Sequence, residues 1–253
     1  MSEFSIIHRI RAFTKIFDPR IMIIIVSALG MIGYIYLTPP LSQSSFFARV
    51  ELLKSVPPNL QMYFQRFLLS FFLLGVFPLI SAVACGFKLR DLGLRLKPKS
   101  FRTRWIGVLM IAGIVLGAVS SRFSDLAGYY PYYPNLDIAV EANGAVVLLL
   151  HSAAYFIFFY LPWEVLFRGI LIFTIIKGIE DDAPYSALLL IACFQIIPST
   201  LLHFGHPLSE TLSAVLLGLI AGYVTLRSRS IIPVLVFHSA LGISLDIFLS
   251  LPL

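Results

Sequence analysis

The sequence predicts an all-α, polytopic bundle of transmembrane helices with about seven spans, six to eight at the limits. Three observations predict it. The chain is 58% hydrophobic and only 13% charged, where soluble domains have about 45–50% apolar and about 25% charged residues. Its mean hydropathy is +0.91. Apolar runs long enough to cross a bilayer recur along the chain, and lysines and arginines gather at their ends, as the positive-inside rule requires. No soluble domain, fixed-period repeat or low-complexity tract interrupts them.

The elements follow in order. Residues 1–20 form a basic N-terminus with Arg9, Arg11, Lys15 and Arg20, expected to be cytoplasmic. The apolar run Ile21 to Leu37 is long for a signal-peptide core and has no small-x-small cleavage site behind it. It reads as an uncleaved signal anchor. Spans are expected at 21–38, 62–87, 105–122, 145–177, 184–204, 209–226 and 230–250. Residues 21–104 thus hold the N-terminal helices and a basic loop, and 105–253 a core that carries the candidate chemistry. At about 1.5 Å per residue, 145–177 is too long for one upright span. It is expected to protrude at a tilt or to break at Pro162, which lacks a backbone donor.

Lys88, Arg90, Arg95, Lys97, Lys99, Arg102 and Arg104 face one acid, Asp91, in the second loop. The loop from Ser124 to Gly144 has Asp125, Asp137 and Glu141 and neither lysine nor arginine, and the turn at Arg227 and Arg229 is basic again. This pattern puts the N-terminus in the cytoplasm and the C-terminus outside. The compact chain without organelle signals suits a bacterial inner membrane. The lipid bilayer is therefore the chain's first partner, and the net charge of +6, spread over segment ends, is no nucleic-acid footprint. Cys85 and Cys193 lie in apolar segments and imply no disulfide framework. Tyr129, Tyr130, Tyr132 and Tyr133 read as a headgroup-level aromatic belt in preference to a cavity cover. Ala214, Gly218 and Gly222, spaced by four, form a small face for close helix packing.

The chemistry is expected where ionisable residues sit at membrane depth, because a charge in hydrocarbon is costly and faces protein or a wet cavity. Glu164 and Arg168 share a helix face at i, i+4, acid before base. They read either as a structural ion pair or as a general base held ionised by its neighbour. His203 ends one apolar run, with His206 at i+3 and Glu210 beyond. His-x-x-His is usable metal-ligand spacing on a helix, although Gly205 and Pro207 mark the helix end there. His238 lies about two turns into the last span. Asp246 is about 12 Å further by helical rise, out of its reach, and reads as capping or solvating that helix end.

These residues resemble the CPBP family of intramembrane proteases, which includes the CAAX prenyl endopeptidases and bacteriocin-immunity homologues. Its first motif, Glu-Glu-x-x-x-Arg with a following Gly, is similar to Trp163-Glu164-Val165-Leu166-Phe167-Arg168-Gly169. The second-motif histidine is matched by His203. The third motif, His-x-x-x-Asn, is matched by His238 with Gly242 at the Asn position. Leu92-Gly93-Leu94-Arg95 and Arg229-Ser230-Ile231-Ile232-Pro233 look like the family too. The departures are Trp163 for the first glutamate, Ser199 for the usual phenylalanine before His203, and Gly242 for Asn.

The resemblance implies an endopeptidase acting on a membrane-associated protein or peptide. Glu164, His203, His238 and Arg168 would be its catalytic residues, and His206, Glu210 and Asp246 its support. Glu164 would activate water, while His203 and His238 stabilise the oxyanion or, with Glu164, bind zinc. The cofactor is thus none or zinc. The metal-free version is favoured because Arg168 already engages Glu164. The alternative is a non-catalytic member acting as a membrane scaffold or escort. By helical rise from the cytoplasmic ends, His238, Glu164 and His203 lie about 12, 21 and 27 Å deep, so convergence requires tilt or a kink.

Overall fold

A computed structural model of the chain describes residues 18–38, 41–42, 45–51, 54–98 and 102–251. Arg9, Arg11, Lys15 and Lys99 lie outside the described residues. The principal helices are α1 (Pro19–Leu37), α2 (Pro58–Ala84), α3 (Thr103–Ser120), α4 (Leu136–Asn143), α5 (Ala145–Ile176), α6 (Tyr185–Leu201), α7 (Leu208–Ser228) and α8 (Ile232–Ser250). Among the described residues there is no strand. Five helices (α1, α2, α5, α7 and α8) are long and apolar enough to cross a membrane, and α3 and α6 are shorter apolar helices. The chain is a multi-pass helical membrane protein.

Pro162 does not break the long fourth span. Helix α5 runs through it, and the accommodation is a pair of π-helical turns, Phe156–Tyr160 and Val165–Ile170. A π turn widens the helix by one residue, which absorbs the missing donor and the ring's clash with the preceding turn. Helix α2 does the same, with Ser70–Val76 in π geometry just ahead of Pro78. The two helices meet where one is smallest: a Cβ on Gly75 would lie 2.8 Å from Pro162 Cβ. Helix α6 does break, at Gln195, within one turn of Pro198. The Gln195 amide spans the break to α7, donating to Gly218 O at 2.8 Å. The small face of α7 packs here as expected: a Cβ on Gly222 would come within 2.9 Å of Ala192 O.

The two loops with family-like sequence lock together. Ile231 N–H donates to Gly93 O at 3.0 Å, and Ser230 Oγ to Arg95 O at 2.8 Å. Gly93 has φ +72°, and a Cβ there would strike Phe173 at 2.5 Å, so glycine is required twice over. This seats the start of α8 against the end of α5 and fixes how deep His238 lies. Beside it, Lys177 Nζ lies 2.9 Å from Asp91 Oδ2 and holds that carboxyl below its usual range.

Helix α3 is held chiefly by α8. Cβ atoms on Gly113 and Gly117 would meet Phe237 O at 2.5 Å and Ser244 Oγ at 2.0 Å. The backbones therefore touch, as small residues permit in membranes. Gly117→Val is expected to lower stability by about 1–3 kcal/mol, the overpacking range, read as an earlier thermal unfolding transition in detergent. An unchanged transition would show that α3 is not fixed at this crossing.

Candidate active site

Helices α3, α5, α7 and α8 and the end of α6 line a cavity of about 690 Å³. Much of its wall is leucine, isoleucine and phenylalanine. Besides four serines, its polar groups are Tyr130, Tyr160, Arg168, His203, Glu210 and His238.

Two carboxylate–histidine pairs serve it. In the first, His238 Nδ1 is 2.7 Å from Glu164 Oε1. The carboxylate accepts, so Nδ1 carries the proton and Nε2 of the neutral ring keeps its lone pair. Glu164 is wholly buried and Arg168 is 5% exposed. Arg168 Nε lies 3.3 Å from Glu164 Oε2. Charge distance is met, but hydrogen-bond alignment is not, so both atoms remain without a hydrogen-bond partner. Glu164 itself is not on the cavity wall. It reaches the cavity through His238.

In the second pair, Glu210 Oε1 accepts from Tyr130 Oη at 2.9 Å, sits 3.0 Å from His206 Nδ1 and 3.7 Å from His203 Nε2. Burial, first, and the Glu210 charge, second, raise the Tyr130 phenol, so it keeps its proton and donates it to Glu210. His203 Nδ1 is 2.7 Å from Ser199 O. A carbonyl cannot donate, so Nδ1 bears the proton and Nε2 is left toward Glu210. His203 and His206 are not on one helical face, because α6 ends at Leu201 and the two stand on the following turns. Their rings nonetheless lie 5.3 Å apart.

The departures from the family pattern have physical fillings. Trp163 is 4% exposed and packs near-perpendicular to His203, ring centroids 5.4 Å apart, against Phe159 and Phe167 on its own helix. Gly242 makes room for Tyr160: a Cβ there would lie 1.5 Å from the Tyr160 hydroxyl. The Tyr160 ring packs on His238 at 4.8 Å. Gly242→Ala is therefore expected to cost about 1–3 kcal/mol and to displace Tyr160 from the wall. Adding Tyr160→Phe removes the colliding oxygen and should recover part of the loss in thermal unfolding.

Asp246 does not cap or solvate the end of α8. It is fully buried, and Oδ2 accepts from Tyr132 N–H and pairs with His151 Nε2, both at 2.9 Å. His151 Nδ1 in turn is 2.9 Å from Tyr63 Oη. Nor do the tyrosines form a headgroup belt. Tyr132 is 7% exposed, stacked on Tyr155 at 5.0 Å, and the Tyr129 ring packs on His206 at 4.8 Å. The segment packs onto the core, pinned by Asp246, and brings Tyr130 to the cavity wall. His151, Tyr63 and Tyr160 were not singled out in the sequence. A histidine inside an apolar span was the available signal for His151, and the position four residues before Glu164 was the signal for Tyr160.

The zinc set allowed by the resemblance does not gather. Among the described residues no three His, Cys, Asp or Glu side chains are arranged to hold a metal ion. The oxygen of Glu164 nearest His238 is occupied by that ring's Nδ1.

Fold and site together define a membrane-embedded helical protein with paired acid and histidine groups at a cavity between its helices. A family model described as type II CAAX prenyl endopeptidase, Rce1-like, matches residues 145–243. This segment, which is similar to that CAAX protease family, carries Glu164, Arg168, His203, Glu210 and His238. No curated protein and no solved structure matches the chain.

Proposed function

We propose that the chain is an intramembrane endopeptidase of CAAX-protease type, hydrolysing a peptide bond of a membrane-associated protein or peptide at this cavity. The observation that carries the reading is the 2.7 Å bond between Glu164 and His238. It joins two family motifs from different helices and presents the imidazole to a cavity it shares with His203. A buried carboxylate behind a histidine fixes its tautomer and steadies the ring when it becomes charged. Glu164, held by Arg168, is a positioning residue for His238. His238 and His203 are the catalytic imidazoles, stabilising the oxyanion and moving protons. The apolar remainder of the wall suits a lipid-modified or membrane-embedded peptide. The charge pattern of the loops supports a cytoplasmic position for the basic end of the bundle, where α8 begins, and the compact chain suits a bacterial inner membrane.

The substrate class is tested with the chain reconstituted in liposomes. The probes are an internally quenched peptide ending in Cys-aliphatic-aliphatic-x, farnesylated, and the same peptide unmodified. Cleavage confined to the farnesylated peptide supports the CAAX reading. Cleavage of both shows a broader endopeptidase. Cleavage of neither removes the CAAX substrate and favours the scaffold alternative.

A further inference from the structure

We propose that Glu210, at the start of α7, is the water-activating carboxylate of this chain, replacing the glutamate that Trp163 displaces. The inference rests on the peptidase reading above and adds a catalytic residue to it. Position 163 faces His203, and in this chain it offers only an indole, its ring centroid 5.4 Å from that of His203. The carboxylate beside His203 comes instead from Glu210, 3.7 Å from Nε2. Glu164 cannot supply it easily: its side chain is 0% exposed, off the cavity wall, with one oxygen bound to His238 and the other beside Arg168. The Glu210 side chain is 18% exposed and lines the cavity. Its Oε1 is fixed by Tyr130 and His206, which orient the group. Its Oε2 is buried without any hydrogen-bond partner. An orphaned carboxylate oxygen in a polar corner asks for a ligand, and water is the smallest that satisfies it. The first turn of a helix is also a favourable place for a carboxylate.

The step balances. Glu210 takes one proton from water as the water oxygen bonds to the scissile carbonyl carbon, and the carbonyl electron pair moves onto its oxygen. Collapse of that oxyanion breaks the C–N bond, and Glu210 returns the proton to the departing nitrogen. One water is consumed, one carboxyl and one amine form, and Glu210 ends as it began.

The test compares peptide termini in membranes from cells carrying the wild type, a deletion, Glu210→Gln, Glu210→Asp and the double variant Trp163→Glu/Glu210→Gln, with each chain's abundance measured by blotting. Glu210→Gln is expected to lower the wild-type-dependent ends by at least about 100-fold, within the range of a lost general base. Trp163→Glu should restore part of that yield, which a merely structural Glu210 would not allow. Glu210→Asp keeps the charge and withdraws the carboxylate by about one bond length, with an expected loss of about tenfold or more. It decides the matter if the glutamine variant fails to accumulate. Wild-type yields from Glu210→Gln or Glu210→Asp overturn the assignment and leave the peptidase standing. No new ends even with the wild type overturn the peptidase reading, and Glu210's role with it.

Discussion

Glu164→Ala is expected to be the most damaging single truncation in the chain, costing about 3–5 kcal/mol, the range for breaking a buried ion pair from one side. Arg168 has 6% of its side chain exposed and lies 3.3 Å from the removed carboxylate. Already without a hydrogen-bond partner for Nε and Nη1, it would keep a charge in the interior with nothing to oppose it. His238 Nδ1 would lose its acceptor at the same time. Chemical unfolding in detergent reads the loss. Replacing both residues, as Glu164→Ala/Arg168→Met, removes the stranded charge and should recover much of the stability without recovering activity. If the single variant unfolds like the wild type, the pair contributes nothing to the fold.

The second large effect is on turnover. His203→Ala and His238→Ala are each expected to lower kcat by about 10²–10⁴-fold, as for the loss of a positioned acid or base, with a much smaller change in KM. The two should differ in stability. His238→Ala leaves Glu164 Oε1 buried and unpaired, costing about 1–3 kcal/mol more. A rise in KM with kcat intact would instead make these rings substrate-binding groups.

The spans were legible because hydropathy alone sets them: α1 was expected at 21–38 and occupies Pro19–Leu37, and α8 was expected at 230–250 and occupies Ile232–Ser250. The behaviour of Pro162 was not legible. Whether proline breaks a helix or is absorbed by a π turn depends on what packs beside it, here Gly75 of α2. Helical rise placed Glu164, His203 and His238 at unequal depths. That count assumes upright, regular helices, whereas α5 has two π turns and α6 breaks at Gln195. The motif order grouped Glu164, His203 and His238 into one expected site, which no local spacing could have, and Glu164 and His238 are in contact. Glu210 with Tyr130 and Asp246 with His151 are contacts across 80 and 95 residues, and they exist only once α5, α7, α8 and the tyrosine segment are assembled. Asp246 read as a helix-end residue because only its own helix was visible in the sequence.

The most direct measurement of the central claim, that this cavity hydrolyses peptide bonds, compares peptide termini in membranes of cells carrying the wild type, a deletion and His203→Ala/His238→Ala, all grown in ¹⁸O-labelled water for the chase. New C-termini carrying one ¹⁸O are expected with the wild type alone. Identical termini in all three membranes, with the chain present at equal amounts, would contradict a hydrolytic role and leave a membrane scaffold.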